Sequence, residues 1–524
     1  MATAATLGDL LGDRLAEGAD DLVAYEGPLA GARVALDLAR TAALLVRVET
    51  ALAPARAAAA RPLRVGVLSN HQLEAYLAVI GAVASGHTFV PLNPKFPVAR
   101  LGQIVALGAV DVIAFDASNA ELAAALAGSS GTATLDLSAL LAPPPSDAEL
   151  ATARTWRGDV LARPLAPSAI AYVMFTSGST GVPKGVPISI GNLLHYVRHM
   201  AAVLGTPTPV ARGLRFTQCF DLSFDLSMHD IFVSSYLWGT LVSPSKVDLL
   251  MPSGYLTRER LDVWFSVPLL GAQLGRATRT AKFAGLTHAL FCGEALPMET
   301  VAACRAWLRD GGELWNLYGP TEATIAFTAC RVTSSTRTEG SASIGRPFGD
   351  NQVAIAAAGE GGAAPTVHRG LPVGVEGELL LGGPQVFAGY STDAPSPFLV
   401  DGETRYYRSG DLVRVDDEGI YFRGRVDSQI KFRGYRIELG EIEAAIRTAF
   451  GLRTVAVVLT GAGAEARLIA YYLAAEASAP PDAAALAERL PSYMVPGDLI
   501  GLEAMPVNAN GKIDRRALAA RAPA

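Results

Sequence analysis

The sequence predicts an α/β protein built from several structural units. Three observations carry that reading. In the first third, short apolar runs suited to buried strands alternate with helical patterns, as in a parallel sheet flanked by helices. From residue 377 the texture changes to alternating apolar and polar residues punctuated by glycine, which reads as antiparallel β structure. Behind it, an amphipathic stretch and two further strand candidates suit a small α+β unit. The length, 524 residues, agrees with roughly three or four such units.

Composition bounds the function. With 50% hydrophobic and 18% charged residues, the bulk of the chain is globular rather than disordered. A formal net charge of −6 argues against a general nucleic-acid binder. Cys219, Cys292, Cys304 and Cys330 form no CxxC pair, so neither a disulfide framework nor a zinc site is expected. The amino terminus carries acids where a signal peptide carries bases, and apolar runs such as 75–84 stop short of the ~20 residues of a membrane span. A soluble, reduced, cytoplasmic protein is expected.

In chain order, 63–68, 88–92 and 110–115 read as buried strands and 71–83 as a helix. The proline-rich 141–147 is a surface loop, and 169–175 is an apolar strand. Residues 357–365, rich in Gly and Ala, read as a hairpin or flexible loop. The phrases GELLLGG, RYYRSGDLVRV and EGIYFRGRVDSQIKFRG supply the antiparallel strands. Residues 439–450 form an amphipathic helix. Strands at 454–459 and 466–473, a loop at 477–482 and a helix at 482–490 follow. The main boundary is placed at Asp427, dividing the chain into 1–427 and 428–524.

The strongest local motif is Met174-Phe-Thr-Ser-Gly-Ser-Thr-Gly-Val-Pro-Lys-Gly185, where a strand enters a Ser/Thr/Gly loop ending in Lys184. Glycines let backbone N–H groups wrap a polyphosphate, hydroxyls add donors and lysine adds a point charge. The frame is not a Walker A loop, which requires Ser or Thr after GxxxxGK, and no GxGxxG or GxSxG occurs. Alone, the segment could also be a Gly- and Ser-rich surface turn. Asn316-Leu-Tyr-Gly-Pro-Thr-Glu322 groups an amide, an aromatic ring and a carboxylate around a turn; alone it could be any turn with a solvated Glu. Tyr407-Arg-Ser-Gly-Asp411, Gly424-Arg-Val-Asp427, KFRGYRIELGEIE at 431–443, LPSYMVP at 490–496 and Asn510-Gly-Lys-Ile-Asp-Arg515 follow.

In this order the segments resemble the adenylate-forming enzymes, in the branch of nonribosomal peptide synthetase adenylation domains and D-alanine–D-alanyl carrier protein ligases. The resemblance covers roughly residues 63–515; the family's early motif has no counterpart in the first sixty or so. It implies a large amino-terminal domain of packed sheets and helices with a small β-barrel subdomain, and a mobile small α+β carboxy-terminal domain. It implies that Thr176, Ser177, Gly178, Ser179, Thr180 and Lys184 hold the β- and γ-phosphates of ATP. Asn316 and Tyr318 would contact adenine, with Gly319 and Thr321 beside them, and Asp411 would take both ribose hydroxyls with Arg425 helping. Glu322 would ligate Mg²⁺, with Thr180 a weaker candidate; Asp427 would be the hinge. Lys512 would reach the substrate carboxylate and the α-phosphate. In the second half-reaction it would leave, and Gly434 would line the tunnel for the incoming thiol.

Phe224-Asp-Leu-Ser-Met-His-Asp-Ile-Phe232 addresses the acid. It resembles the family phrase whose aspartate, here Asp225, pairs with a substrate ammonium; the other reading is a helix N-cap. The family's pocket positions fall on Asp225, Leu226, His229, Phe265, Leu290, Cys292, Leu317, Ile325, Ala326 and Lys512. Large Phe265, Leu317 and Ile325 imply a small pocket, suited to Ala, Ser, Gly or Pro. His229 departs from the family's usual aromatic or Met: it either contacts the substrate or is a packed core histidine. The expected activity is ATP-dependent formation of an aminoacyl adenylate and its transfer to the phosphopantetheine thiol of a separate carrier protein, since the chain stops soon after NGKIDR. Arg423, Arg425, Lys431, Arg433 and Arg436 could meet an acidic carrier, or serve as ribose contacts and solvated charges. The alternatives are an acyl- or aryl-CoA ligase on the same scaffold and a non-catalytic nucleotide-binding scaffold.

Overall fold

The computed structural model describes every residue except 1–4, 12–19, 21, 179–181, 206–212, 278–282, 284, 334–339, 359–364, 462, 508–512 and 523–524. Two large sheets and a third, barrel-like one are built from residues before Asp427. The first has six strands, in the order Lys184–Ser189, Ile170–Thr176, Thr88–Pro91, Arg64–Leu68, Val112–Phe115 and Ala133–Asp136. All neighbours run parallel except Lys184–Ser189, which returns antiparallel to Ile170–Thr176. Arg64–Leu68 is central and almost wholly buried, as a strand covered on both faces must be. The helix Leu73–Ala84 that follows it is buried all round and packs between layers.

The second sheet has nine strands, with Val263–Ser266, His288–Phe291 and Glu313–Tyr318 parallel at its centre. Its far edge is the hairpin Val23–Leu29 with Ala32–Asp37, in the stretch where the sequence shows no motif. The helix Leu38–Ala59 follows, started by Asp37 accepting from the Arg40 N–H. The third sheet is antiparallel: Thr404–Asp416 pairs with Glu376–Gly382, Phe398–Asp401 and Gly419–Arg425 along its length and bends the sheet towards closure. Gln352–Ala357 and Thr366–Arg369 pair antiparallel in it, and most of the loop expected at 357–365 lies outside the described residues.

Beyond Asp427 come the hairpin Gln429–Phe432 with Tyr435–Glu438, the helix Leu439–Phe450, and the sheet Val455–Thr460, Arg467–Leu473, Asp498–Leu502. Its core, including Ile442, Ile446, Val457 and Leu468, shares no member with the clusters before Asp427. The helix expected at 482–490 does not form. Only a 3₁₀ turn, Ala483–Leu486, is present, because Pro480 and Pro481 delay its start and Pro491 stops it. Among the described residues, no helix is long and apolar enough to cross a membrane.

The two parts meet over the centre of the second sheet. Tyr435 stacks on Tyr493 at 3.6 Å and packs edge-on against Phe224 at 4.6 Å. Buried Arg100 pairs with Glu441 across the junction. The hairpin of the smaller part thereby sits over the ends of Val263–Ser266, His288–Phe291 and Glu313–Tyr318, the carboxyl-end position where α/β sheets bind ligands.

Candidate active site

The Ser/Thr/Gly loop leaves the end of Ile170–Thr176, where Thr176 faces Lys184 across the antiparallel pair. A Cβ at Gly178 would stand 2.1 Å from the Val182 carbonyl, so only glycine lets the loop fold back this closely. Ser177 donates to the Arg436 carbonyl at 3.1 Å. The Lys184 ammonium lies over the Tyr390 ring, 5.7 Å from its centroid. Ser179 and Thr180 lie outside the described residues, as does Lys512.

Glu313–Tyr318 delivers Asn316 and Tyr318 from the centre of the second sheet. The Asn316 amide donates to the Ser343 carbonyl at 2.9 Å, while its buried Oδ1 has no partner among the described residues. The Tyr318 hydroxyl donates to Asp411 Oδ2 at 2.6 Å, and Lys431 lies over its ring at 5.4 Å. Asp411 Oδ1 is ion-paired with Arg425, which also clasps Asp427 through two contacts of 2.7 Å. A Cβ at Gly319 would come within 2.6 Å of Ala326, so the turn after the strand can lie flat on the pocket wall.

Glu322 is 1% exposed. Its Oε1 accepts from the Tyr390 hydroxyl at 2.9 Å and its Oε2 from Arg436 at 2.7 Å. Burial pushes its carboxyl up, but Arg436 and the hydrogen bonds outweigh that and hold it below its usual value, so it is ionised.

Asp225 sits at the N-cap position of a short helical turn, yet its side chain makes no cap bond. Its Oδ2 instead accepts from the Ile325 N–H at 3.1 Å, across the pocket. Burial pushes its carboxyl up to about 7, against the lowering by the Ile325 N–H and Thr321. Leu226, His229, Phe265, Leu290, Cys292, Leu317, Ile325 and Ala326 are all buried in the same apolar core. The His229 Nδ1 is 2.7 Å from the Tyr196 hydroxyl, its ring packs on Phe265 at 4.5 Å, and its Nε2 has no partner. Burial drives its pKa down to about 3, so the imidazole is neutral. Burial likewise pushes the Cys292 thiol up to about 12; it packs rather than reacts.

Thr324 and Ile325 both hold left-handed backbone, with φ of 59° and 66°. For a β-branched residue this is strained. Gln385, fully buried, holds the turn: its amide donates to the carbonyls of Ala323 at 2.9 Å, Thr324 at 3.0 Å and Ala326. Thr324 returns a bond to the Gln385 carbonyl at 2.7 Å.

The hairpin beyond Asp427 closes the site. The Gly434 N–H donates to Glu294 at 2.6 Å, and a Cβ there would meet Val267 at 2.7 Å, at a φ of +84°. A single cleft is lined by Asp225, Cys292, Asp411, Lys431, Gly434 and Arg436 among others. The structure thus brings the acid-binding, nucleotide and hairpin residues together. Of the five basic residues, Arg425, Lys431 and Arg436 turn into the cleft, whereas Arg423 and Arg433 face solvent.

A family model described as AMP-binding enzyme matches residues 53–391. The chain belongs to the AMP-binding enzyme family. It is 33% identical over 499 residues to the L-proline--[L-prolyl-carrier protein] ligase of Streptomyces coelicolor, covering 89% of this chain and 90% of that one. It is 34% identical over 476 residues to the phosphinothricin tripeptide synthetase PhsC of Streptomyces viridochromogenes. That alignment covers 87% of this chain and 40% of that protein, so the chain spans well under half of that relative. The fold matches the crystal structure of the Vibrio cholerae adenylation domain AlmE in complex with glycyl-adenosine-5'-phosphate. The TM-score is 0.83 at 25% identity, over 99% of this chain and 98% of that one.

This AMP-binding enzyme fold implies ATP and Mg²⁺, and the residues fit both. The unpartnered Asn316 Oδ1 suits an exocyclic amine, and ionised Glu322 suits a hard cation. Among the described residues no three His, Cys, Asp or Glu side chains cluster as a metal cage. Sequence reasoning missed Gln385, Tyr390 and Glu294 because each acts on a segment distant in the chain. It also did not assign Arg436 to Glu322, although the phrase RGYRIE was in view.

Proposed function

We propose that this chain activates a small amino acid with ATP and passes it to the phosphopantetheine thiol of a carrier protein. The observation that carries the proposal is Asp225, a buried carboxyl held toward a pocket wall by the Ile325 N–H and Thr321 and, among the described residues, without an ion-pair partner. An isolated buried carboxylate is unfavourable, and a substrate ammonium supplies the missing counter-charge. A plain fatty or aryl acid would not.

The residues then divide the work. Asp225 anchors the ammonium, and the apolar walls, Phe265, Leu317 and Ile325 above all, limit the side chain to the size of Ala, Ser, Gly or Pro. Asn316, Tyr318 and Asp411 orient the nucleoside; Asp411 must exchange its bonds to Tyr318 and Arg425 for ribose hydroxyls. The phosphate loop with Lys184 holds the β- and γ-phosphates. Glu322 would hold Mg²⁺, which would supply positive charge against the phosphates when bound. The substrate carboxylate is ionised at neutral pH, so attack on the α-phosphorus needs positioning and charge neutralisation rather than a general base. Lys512 supplies the second cation of that step.

Pyrophosphate leaves, and the smaller part turns about Asp427 to bring Gly434 over the adenylate. The arrangement described here supports that second step: Gly434 contacts Glu294 beside the acid pocket, and Arg436 takes the Glu322 carboxylate. The test is mass spectrometry of holo-carrier proteins incubated with the chain, ATP and a mixture of amino acids. A mass gain matching one small aminoacyl group is expected. Loading by plain carboxylic acids alone would favour the acyl-CoA ligase reading, and no exchange above a Lys512→Ala control would favour a non-catalytic scaffold.

A further inference from the structure

We propose that the outer face of the short helix Lys246–Leu250, together with Met251, is the docking surface for the carrier protein. The proposal rests on the carrier-transfer reading above. Val247, Leu250 and Met251 are 63%, 82% and 66% exposed. Val247 and Leu250 stand at i and i+3 and share one face; Met251 caps the helix, its N–H donating to the Val247 carbonyl at 2.8 Å, which keeps it beside them. Among the described residues, the other large apolar side chains left this exposed are valines standing singly along the chain. Single exposed valines are ordinary; three large apolar side chains within one turn mark a contact site.

The segment is built to present them. Ser245 and Asp248 form a reciprocal capping box that fixes the start of the turn, and buried Asp248 also holds Arg258 at 2.8 Å. Leu249, between the exposed residues, turns inward and lines a cleft with Phe224, Val267, Leu270, Gly434 and Tyr435. Phe224 and Gly434 also line the cleft that contains Asp225. The apolar patch therefore stands beside an outer cleft that shares the walls Phe224 and Gly434 with the cleft containing Asp225.

Charge identifies the occupant. Exposed Lys95 and Arg433 line the outer cleft, and exposed Lys246 flanks the patch. The acid facing this rim, Asp221, is buried and already held by Lys95 at 2.9 Å and His71 at 3.2 Å. Exposed Arg433 and Lys246 beside an apolar patch, next to a cleft that adjoins the acid-binding one, fit an acidic carrier with an apolar contact helix and a phosphodiester-linked arm. A second copy of this chain, itself at −6, would bring no such arm.

The test compares the wild-type chain with Leu250→Glu/Met251→Glu and with Lys246→Glu. The probes are purified holo-carrier proteins, of which the one charged fastest by the wild type is kept, and free pantetheine. Charging of the carrier should fall by about thirtyfold in kcat/KM in the double variant, as for loss of an interface hot spot. Lys246→Glu should raise the carrier KM and weaken its salt dependence. Pyrophosphate exchange and charging of free pantetheine should stay within about twofold, because neither uses the patch. Carrier charging unchanged in the double variant overturns the proposal. So does an equal loss with free pantetheine, which would make the patch part of the cleft itself. A wild-type dimer that the double variant converts to monomer would assign the face to a second copy and also overturn it. If the wild type charges free pantetheine but no carrier, the carrier reading fails first, and the docking surface fails with it.

Discussion

Arg436→Ala isolates the contact between the smaller part and Glu322, the carboxylate proposed to hold Mg²⁺. The guanidinium donates to Glu322 Oε2 at 2.7 Å and to Gln429 at 2.8 Å, while its own carbonyl takes the Ser177 hydroxyl at 3.1 Å. Gln429 in turn accepts from Arg425, which holds Asp411 and Asp427, so one network joins Asp427, Asp411 and Glu322, the proposed hinge, ribose acceptor and metal ligand. Deleting the guanidinium leaves ionised Glu322 buried with neutral hydrogen-bond partners, among them the Tyr390 hydroxyl, and no paired cation among the described residues. Removing one member of a buried pair costs about 3–5 kcal/mol. The Arg436 side chain is 22% exposed, which places this case near the lower end, about 3 kcal/mol. That shifts the balance between arrangements of the two parts by roughly 100-fold. On the proposed domain rotation, the arrangement with Lys512 at the α-phosphate would lack this pair, which the arrangement described here contains. Rapid-quench measurement of thioester formation from preformed adenylate should therefore slow about 100-fold, with pyrophosphate exchange changed by less than about threefold. Equal losses in both reactions, or none in transfer, would refute the reasoning.

Other consequences follow from the same geometry. Asp225 is held near 7 in the free protein, so the amino acid must displace a proton below that pH. Its affinity should fall about tenfold per pH unit below 7 and level off above it. Calorimetry in buffers of different ionisation enthalpy should show proton release at pH 6; a flat profile would contradict the assignment. The same raised value means that burial favours the protonated form. The free protein therefore carries this contribution below the ordinary Asp value of 3.8 and loses it as pH rises through about 7, whereas the amino-acid complex should not. Gln385→Ala removes the donor to three carbonyls of the strained turn and should lower stability by about 2 kcal/mol or more. KM for the amino acid should rise more than KM for ATP, and thermal unfolding with steady-state kinetics would read both. Gly434→Leu places a side chain against Val267 at a left-handed position and should block thioester formation while sparing pyrophosphate exchange.

The fold was legible where periodicity and local chemistry agreed. Leu439–Phe450 forms as its apolar spacing predicts, and Ile170–Thr176 runs into the phosphate loop as the apolar run before the glycines requires. The segment at 482–490 misled because Ala-rich composition favours helix, while flanking prolines leave too few residues to repay nucleation. Val23–Leu29 gave no signal because its mixed burial reflects an edge hairpin rather than a buried strand. The motifs that form the site were visible as segments, but their partners were not. Asp225 read as an ammonium ligand with an N-cap as the other reading; the structure shows no cap bond and an oxygen that takes the Ile325 N–H, 100 residues away. Gln385 carries no local mark at all, since its function lies in the carbonyls it meets 59 to 62 residues earlier in the chain.

The most direct measurement pairs each small amino acid with its counterpart lacking the amino group, alanine with propanoate and proline with cyclopentanecarboxylate. Pyrophosphate exchange is followed with the wild type and with Asp225→Asn. The wild type should prefer the amino acid by about 100-fold or more, the discrimination expected of a buried charge pair, and the variant should lose most of that preference. Equal use of both acids by the wild type, or an undiminished preference in the variant, would contradict the account.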